Sequence, residues 1–200
     1  MHLQLLKPGF MSAQLLSLAI ILIVGLAVQK AHSKSKETEK LAAVDRVDVE
    51  RYMGKWYEIA TIPMWFQRKC ASGTTANYTL NPDGTIEVIN QCVTNKGKVI
   101  KAKGRAWSAD KKTNAKLKVS FVPCGLKLFT GDYWIIDLDP DYQYAVVGHP
   151  SRNYGWILSR KPEMDPETLK AVAARLEAKG YDFKRFKMTN QNDYATNGAR

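Results

Sequence analysis

From Lys55 to Arg160 the chain is cut into short runs of strand-forming residues by turn signals that leave no room for crossover helices. The first run, Lys55–Ile62, stops at Pro63. A run over Thr74–Leu80 meets Asn81-Pro82-Asp83-Gly84, a strong turn sequence, and returns as Thr85–Val93. Asn95-Lys96-Gly97 turns the chain into Val99–Ser108, and 110–114 turns it into Lys116–Phe121. There Leu117, Val119 and Phe121 alternate with polar side chains, the period of a half-buried strand. Asp132–Leu138, a seventh run ending at His149-Pro150-Ser151, and Tyr154–Arg160 complete the set. Eight strands, each turning straight into the next, imply an all-β antiparallel meander.

Two flanking elements belong to the same design. Ahead of the first strand lies Gly54-Lys55-Trp56-Tyr57, preceded by a helical turn expected within 41–51. A glycine that lets the chain bend sharply, followed by a large aromatic at the first inward strand position, suits the closed floor of a barrel. After the last strand, Asp165 caps and Pro166 opens a helix whose Leu169, Val172, Ala173 and Leu176 recur at helical spacing until Gly180. A single apolar stripe predicts packing on the outside of the sheet. Residues 183–188 are expected to add a short ninth strand.

Strand parity assigns inward positions. It selects Ala76 and Tyr78 on the second strand, Val88 on the third, and Leu117 and Val119 on the fifth. Counting back from the 81–84 turn places Cys70 and Cys92 on one face and nearly opposite, which predicts a Cys70–Cys92 disulfide. Closing a loop of about 22 residues is worth ~3 kcal/mol in the chain-entropy model. Cys124 is left as a free thiol. Met64-Trp65-Phe66 is an apolar cluster in a loop, read either as a lid folded over the core or as the mouth of a ligand cavity.

The N-terminus reads as a targeting segment. Lys7 is followed by an uncharged run from Pro8 to Gln29, strongly apolar over Leu15–Val28, with small residues at Ala31 and Ser33. A signal peptide over 1–33 is expected, the alternative being an uncleaved anchor, since the run is long enough to span a bilayer. No cysteine lies at the end of this run, where an N-terminal lipoprotein anchor would need one. A linker over 34–44, a folded domain over 45–190 and a polar tail over 191–200 follow. The whole chain carries 30 basic and 19 acidic side chains, a formal charge of +11. Removing 1–33 takes away Lys7 and Lys30 and leaves 28 against 19, or +9. That balance makes an anionic membrane surface a candidate partner. No basic helix or aromatic-basic sheet motif accompanies it, so nucleic acid is not expected.

Catalysis and metal binding lack their parts. His149 is the sole histidine after the predicted cleavage site, so neither an activated thiolate nor a metal cluster has partners at workable spacing. No enzyme activity, metal or cofactor is expected.

Three motifs in order now match a family. Gly54-Lys55-Trp56-Tyr57-Glu58-Ile59, Asp132-Tyr133-Trp134-Ile135-Ile136-Asp137, and Trp156-Ile157-Leu158-Ser159-Arg160 before a C-terminal helix resemble the lipocalins, most of all the bacterial lipocalin and apolipoprotein D group. The resemblance covers roughly 45–191. It implies an eight-stranded up-and-down barrel open at one end, with Arg160 packed across Trp56 beside Gly54 at the closed end. It also implies that Trp134, Tyr144, Val146 and Trp156 join the cavity wall, and Trp65 and Phe66, read as mouth or lid, are candidate ligand contacts beside them. The function implied is an exported carrier of fatty acids or lysophospholipids, serving membrane maintenance under stress, as a monomer or homodimer. The compartment would be the periplasm or cell envelope, outer membrane included, or the exterior if the source is not bacterial. A tetrapyrrole or other small hydrophobic ligand is the alternative, and a cysteine-dependent lipocalin enzyme a lesser one.

Overall fold

The computed structural model describes residues 40–122 and 130–191; the expected signal segment, Cys124 and residues 192–200 lie outside them. A one-turn helix, α1 (Val49–Tyr52), leads into β1 (Gly54–Thr61). Then follow β2 (Cys70–Leu80), β3 (Ile86–Thr94), β4 (Val99–Ser108), β5 (Lys116–Ser120), β6 (Gly131–Leu138), β7 (Tyr144–Gly148) and β8 (Gly155–Ser159). Helix α2 (Pro166–Ala178) and a two-residue strand β9 (Lys187–Met188) end the domain.

Each strand pairs antiparallel with the next, and β1 pairs with both β2 and β8, which closes the eight strands into a barrel. Closure requires β1 to serve two neighbours at once. Its first half, Gly54–Tyr57, runs against Tyr78–Thr75 of β2, while Tyr57–Thr61 runs against β8. Beyond Tyr57 the register of β2 slips twice between Cys70 and Thr75 as it pairs with β3, and β9 takes the vacated edge of β1 at Ala60 and Thr61. Gln191 stitches the remaining split, its Nε2 donating to Glu58 O at 2.8 Å and to Thr74 O at 2.9 Å. Gln191 is buried, so the polar tail starts after it rather than at it.

The linker expectation is also corrected at its end. Leu41 is buried beneath the outer cluster and the Val44 amide donates to Ile135 O, so the chain joins the domain from at least Leu41. The expected helical turn shrinks to α1. Val44 and Val47 use their amides on Ile135 O and Thr113 O, and a segment bound to its neighbours in this way cannot also close helical turns. Asp48 caps α1 by accepting from the Arg51 amide at 3.2 Å.

Two apolar layers hold the barrel. The inner one includes Trp56, Tyr52, Tyr78, Val88, Leu117, Ile135 and Val147. The outer one lies between the barrel wall and α2, where Val172 and Leu176 meet Ile59, Ile136, Val146 and Ile157. Helix α2 opens as the sequence indicates, with Asp165 accepting from the Thr168 amide and Pro166 in the first turn. It is pinned by Arg175, whose Nε donates to Asp137 Oδ2 at 2.7 Å and whose Nη2 donates to the Tyr144 hydroxyl at 2.8 Å.

The closed end is built around Trp56. Its Nε1 donates to Tyr52 O at 2.8 Å, and the Arg160 guanidinium lies over the indole at 3.8 Å from the centroid. Gly54, with φ of 88°, supplies the bend into β1, and a Cβ there would sit 3.5 Å from Arg160 Nη1. Cys70 and Cys92 form the disulfide, with Cα atoms 5.5 Å apart across β2 and β3. Trp56→Ala is expected to cost about 3–5 kcal/mol of stability in urea unfolding. Preference among ligands should change little, because Trp56 lies beneath the cavity wall.

Candidate functional site

Above Trp56 the barrel encloses a cavity of about 110 Å³. Ala76, Tyr78, Val88, Leu117, Val119 and Trp156 all line it, together with Ala106 and Leu158. Strand parity locates the first five because β2, β3 and β5 lie on the side of the barrel that α2 does not cover, so each shows one apolar face; Trp156, on β8, is the one that the family resemblance implied.

Trp134, Tyr144 and Val146 lie elsewhere. They belong to the layer under α2: Trp134 carries the Lys116 ammonium 4.4 Å above its ring, Tyr144 accepts from Arg175, and Val146 is fully buried. Their inward neighbours are Tyr133, Ile135, Ala145 and Val147. In β6 and β7 both faces are apolar, one toward the cavity and one toward the helix, so alternation disappears and parity has nothing to read. A register shift between Ile135 and Asp137 displaces the count further.

Trp65 and Phe66 also stand off the cavity wall. They sit on a 3-10 turn, 74% and 54% exposed, packed edge to face on each other at 5.7 Å. The next residue, Gln67, does reach the cavity.

The polar part of the wall was missed by the sequence reading. Glu58 is only 5% exposed, and its carboxylate accepts from Gln67 Nε2 at 3.0 Å and from Thr189 Oγ1 at 2.7 Å. Burial pushes this carboxyl above its ordinary range, and the two hydrogen bonds pull back only part of the way. A signal for Glu58 existed, since it stands two residues beyond Trp56 on one strand and therefore faces the same way. Asn90 and the hydroxyls of Thr74 and Thr75 complete this side. On the floor, the Tyr133 hydroxyl bonds those of Tyr52 at 2.9 Å and Tyr78 at 3.0 Å. Burial drives all three phenols upward, Tyr78 to about 12, so they stay protonated across physiological pH.

Among the described residues no group of three His, Cys, Asp or Glu side chains could hold a metal, and Cys70 and Cys92 are tied up in their disulfide. Nor is any helix among them long and apolar enough to cross a membrane.

A family profile described as a lipocalin-like domain matches residues 47–191. The chain belongs to the lipocalin family. It is similar to temperature-induced lipocalin-1 of Arabidopsis thaliana, 48% identical over 161 residues, covering 78% of this chain and 86% of that protein. Outer membrane lipoprotein Blc of Escherichia coli strain K12 is 37% identical over 147 residues, covering 73% of this chain and 80% of that protein. Among solved structures, insecticyanin from the tobacco hornworm Manduca sexta shares the fold with a TM-score of 0.61 at 23% identity, over 75% of this lipocalin and 84% of that chain.

Glu58 makes the stability of this lipocalin pH-dependent. Its carboxyl is raised in the folded state, so its contribution is fully present below the unfolded carboxyl value of about 4.3 and is lost as pH rises through the higher folded value. The difference in Tm between Glu58→Gln and wild type should therefore be constant below about pH 4 and shift in favour of the variant above it. Thermal unfolding of both proteins across a pH series checks this.

Proposed function

We propose that this lipocalin holds a fatty acid or lysophospholipid in its barrel and stores or carries it outside the cytoplasm for membrane maintenance under stress, without catalysis. The observation that carries the reading is the cavity between the Trp56 floor and the open end, whose wall is largely apolar side chains. Burying an acyl chain there returns about 0.8 kcal/mol for each methylene removed from water. The names of two relatives, one induced by temperature and one an outer membrane lipoprotein, support a role at membranes under stress.

Native mass spectrometry of gently purified protein is expected to show a bound lipid. Titration with oleate or a lysophospholipid should change the fluorescence of Trp156, which lies in the cavity wall. Val119→Trp, which fills the cavity from β5, should weaken both ligands by about tenfold or more while the disulfide and barrel persist. Protein that never retains lipid and shows no fluorescence response counts against the reading.

Exchange at an anionic membrane surface belongs to the same proposal. Trp65 and Phe66 project from their turn with exposed Arg68 and Lys69 beside them, an aromatic and basic combination suited to the headgroup region. A Trp65→Ser, Phe66→Ser double variant should be retained less on vesicles containing anionic phospholipid, as measured by sedimentation.

A further inference from the structure

The side of the cavity formed by β1, β2 and β3 presents hydrogen-bond acceptors. Gln67 uses its amide nitrogen on Glu58, which leaves its Oε1 buried and without a hydrogen bond among the described residues. Asn90 Oδ1 is buried and unpaired in the same sense. Both residues line the cavity, and so does Glu58, which makes no ion pair with any described lysine or arginine. Thr74 and Thr75 share the wall, but a hydroxyl donates or accepts equally well, so they do not discriminate. The tyrosines on the floor use their hydroxyls on one another.

We propose that this wall selects lipids that present a hydrogen-bond donor to it, a hydroxyl above all, over the carboxylate of a free fatty acid. The proposal rests on the carrier reading above and refines it. Of the two ligands named there, it favours the lysophospholipid, whose glycerol hydroxyl supplies the donor, over the free fatty acid.

The physical basis is the cost of mismatched buried groups. A ligand hydroxyl entering this wall donates to Gln67 Oε1 or Asn90 Oδ1 and recovers the bond with water that it and the acceptor gave up. An ester has no donor and leaves both oxygens unsatisfied. A carboxylate is worse, because it brings further lone pairs toward the unpaired acceptors in surroundings of low dielectric. Glu58 acts on the ligand through the Gln67 amide, which it orients so that oxygen rather than nitrogen is left for the ligand.

Three probes with one acyl chain length test this: oleyl alcohol, oleate and methyl oleate, titrated against the full domain at about pH 8, where oleate is ionised. Wild type should bind the alcohol about tenfold or more tightly than oleate, with the methyl ester also weaker than the alcohol. Glu58→Gln should narrow the alcohol-to-oleate ratio severalfold, through tighter oleate binding. Gln67→Met, on the turn between β1 and β2, should narrow the alcohol-to-ester ratio and serves independently if the β1 variant folds poorly. Equal binding of all three probes, or tightest binding of oleate by wild type, overturns the proposal while the carrier reading stands. Failure of all three probes to bind overturns both.

Discussion

Everything in this barrel rests on the arginine held over Trp56. Arg160 follows the last barrel strand, yet it reaches three stretches of chain at the closed end: its Nη1 donates to Lys55 O at 2.9 Å, its Nη2 to Arg51 O at 2.7 Å and its Nε to Tyr142 O at 3.3 Å. The end of α1, the start of β1 and the turn before β7 are thus tied by one planar donor group, while its face covers the indole. A lysine could supply the charge, but its three donors share one nitrogen, whereas the guanidinium spreads its donors over three nitrogens of a plane that also lies flat on the indole. The floor this makes has the guanidinium on its outside and, on its inside, the indole beneath tyrosine rings whose hydroxyls bond one another, which allows a cavity to begin directly above a closed end.

Closure of the barrel depends on β1 changing partners along its length. Near the floor it is bound by β2 and farther up by β9, and the changeover leaves a slot that Gln191 and Thr189 occupy. The amide of Gly73 donates to Asn190 O on the other side of this slot. Residues that looked like the start of a tail are therefore part of the wall, and they hold Glu58, the one carboxylate among the described residues that lines the cavity. The polar character of the interior is a consequence of how the barrel is sealed.

The two sides of the barrel carry different chemistry for a topological reason. Where α2 covers the wall, β6, β7 and β8 are buried twice, and Ile136, Val146 and Ile157 pack on the helix while Ile135, Val147 and Leu158 face inward. Close approach of the C-terminal segment requires glycine in β8, since a Cβ on Gly155 would lie 2.7 Å from the ring of Phe186. The opposite side, β2 to β5, faces solvent on its outer surface and is where Lys103 pairs with Glu87, while Lys118 at its border pairs with Asp132 of β6. Basic residues on that surface contribute to the net charge without entering the cavity.

Sequence alone determined the strand count, the antiparallel order, the outer helix, the disulfide and the inward positions of β2, β3 and β5. These follow from local rules: turn residues stop strands, side chains alternate, and an apolar stripe marks the buried side of a helix. Tertiary structure decided the rest. Trp134, Tyr144 and Val146 could be assigned to a face only once α2 was seen on top of them, because a strand buried on both sides has no alternation to read. The setting of Glu58 depends on Thr189, 131 residues away, and on a glutamine carried by a turn whose aromatic neighbours point to solvent. No pattern within a strand encodes a contact across that distance, and the polarity of the cavity is set by contacts of this kind.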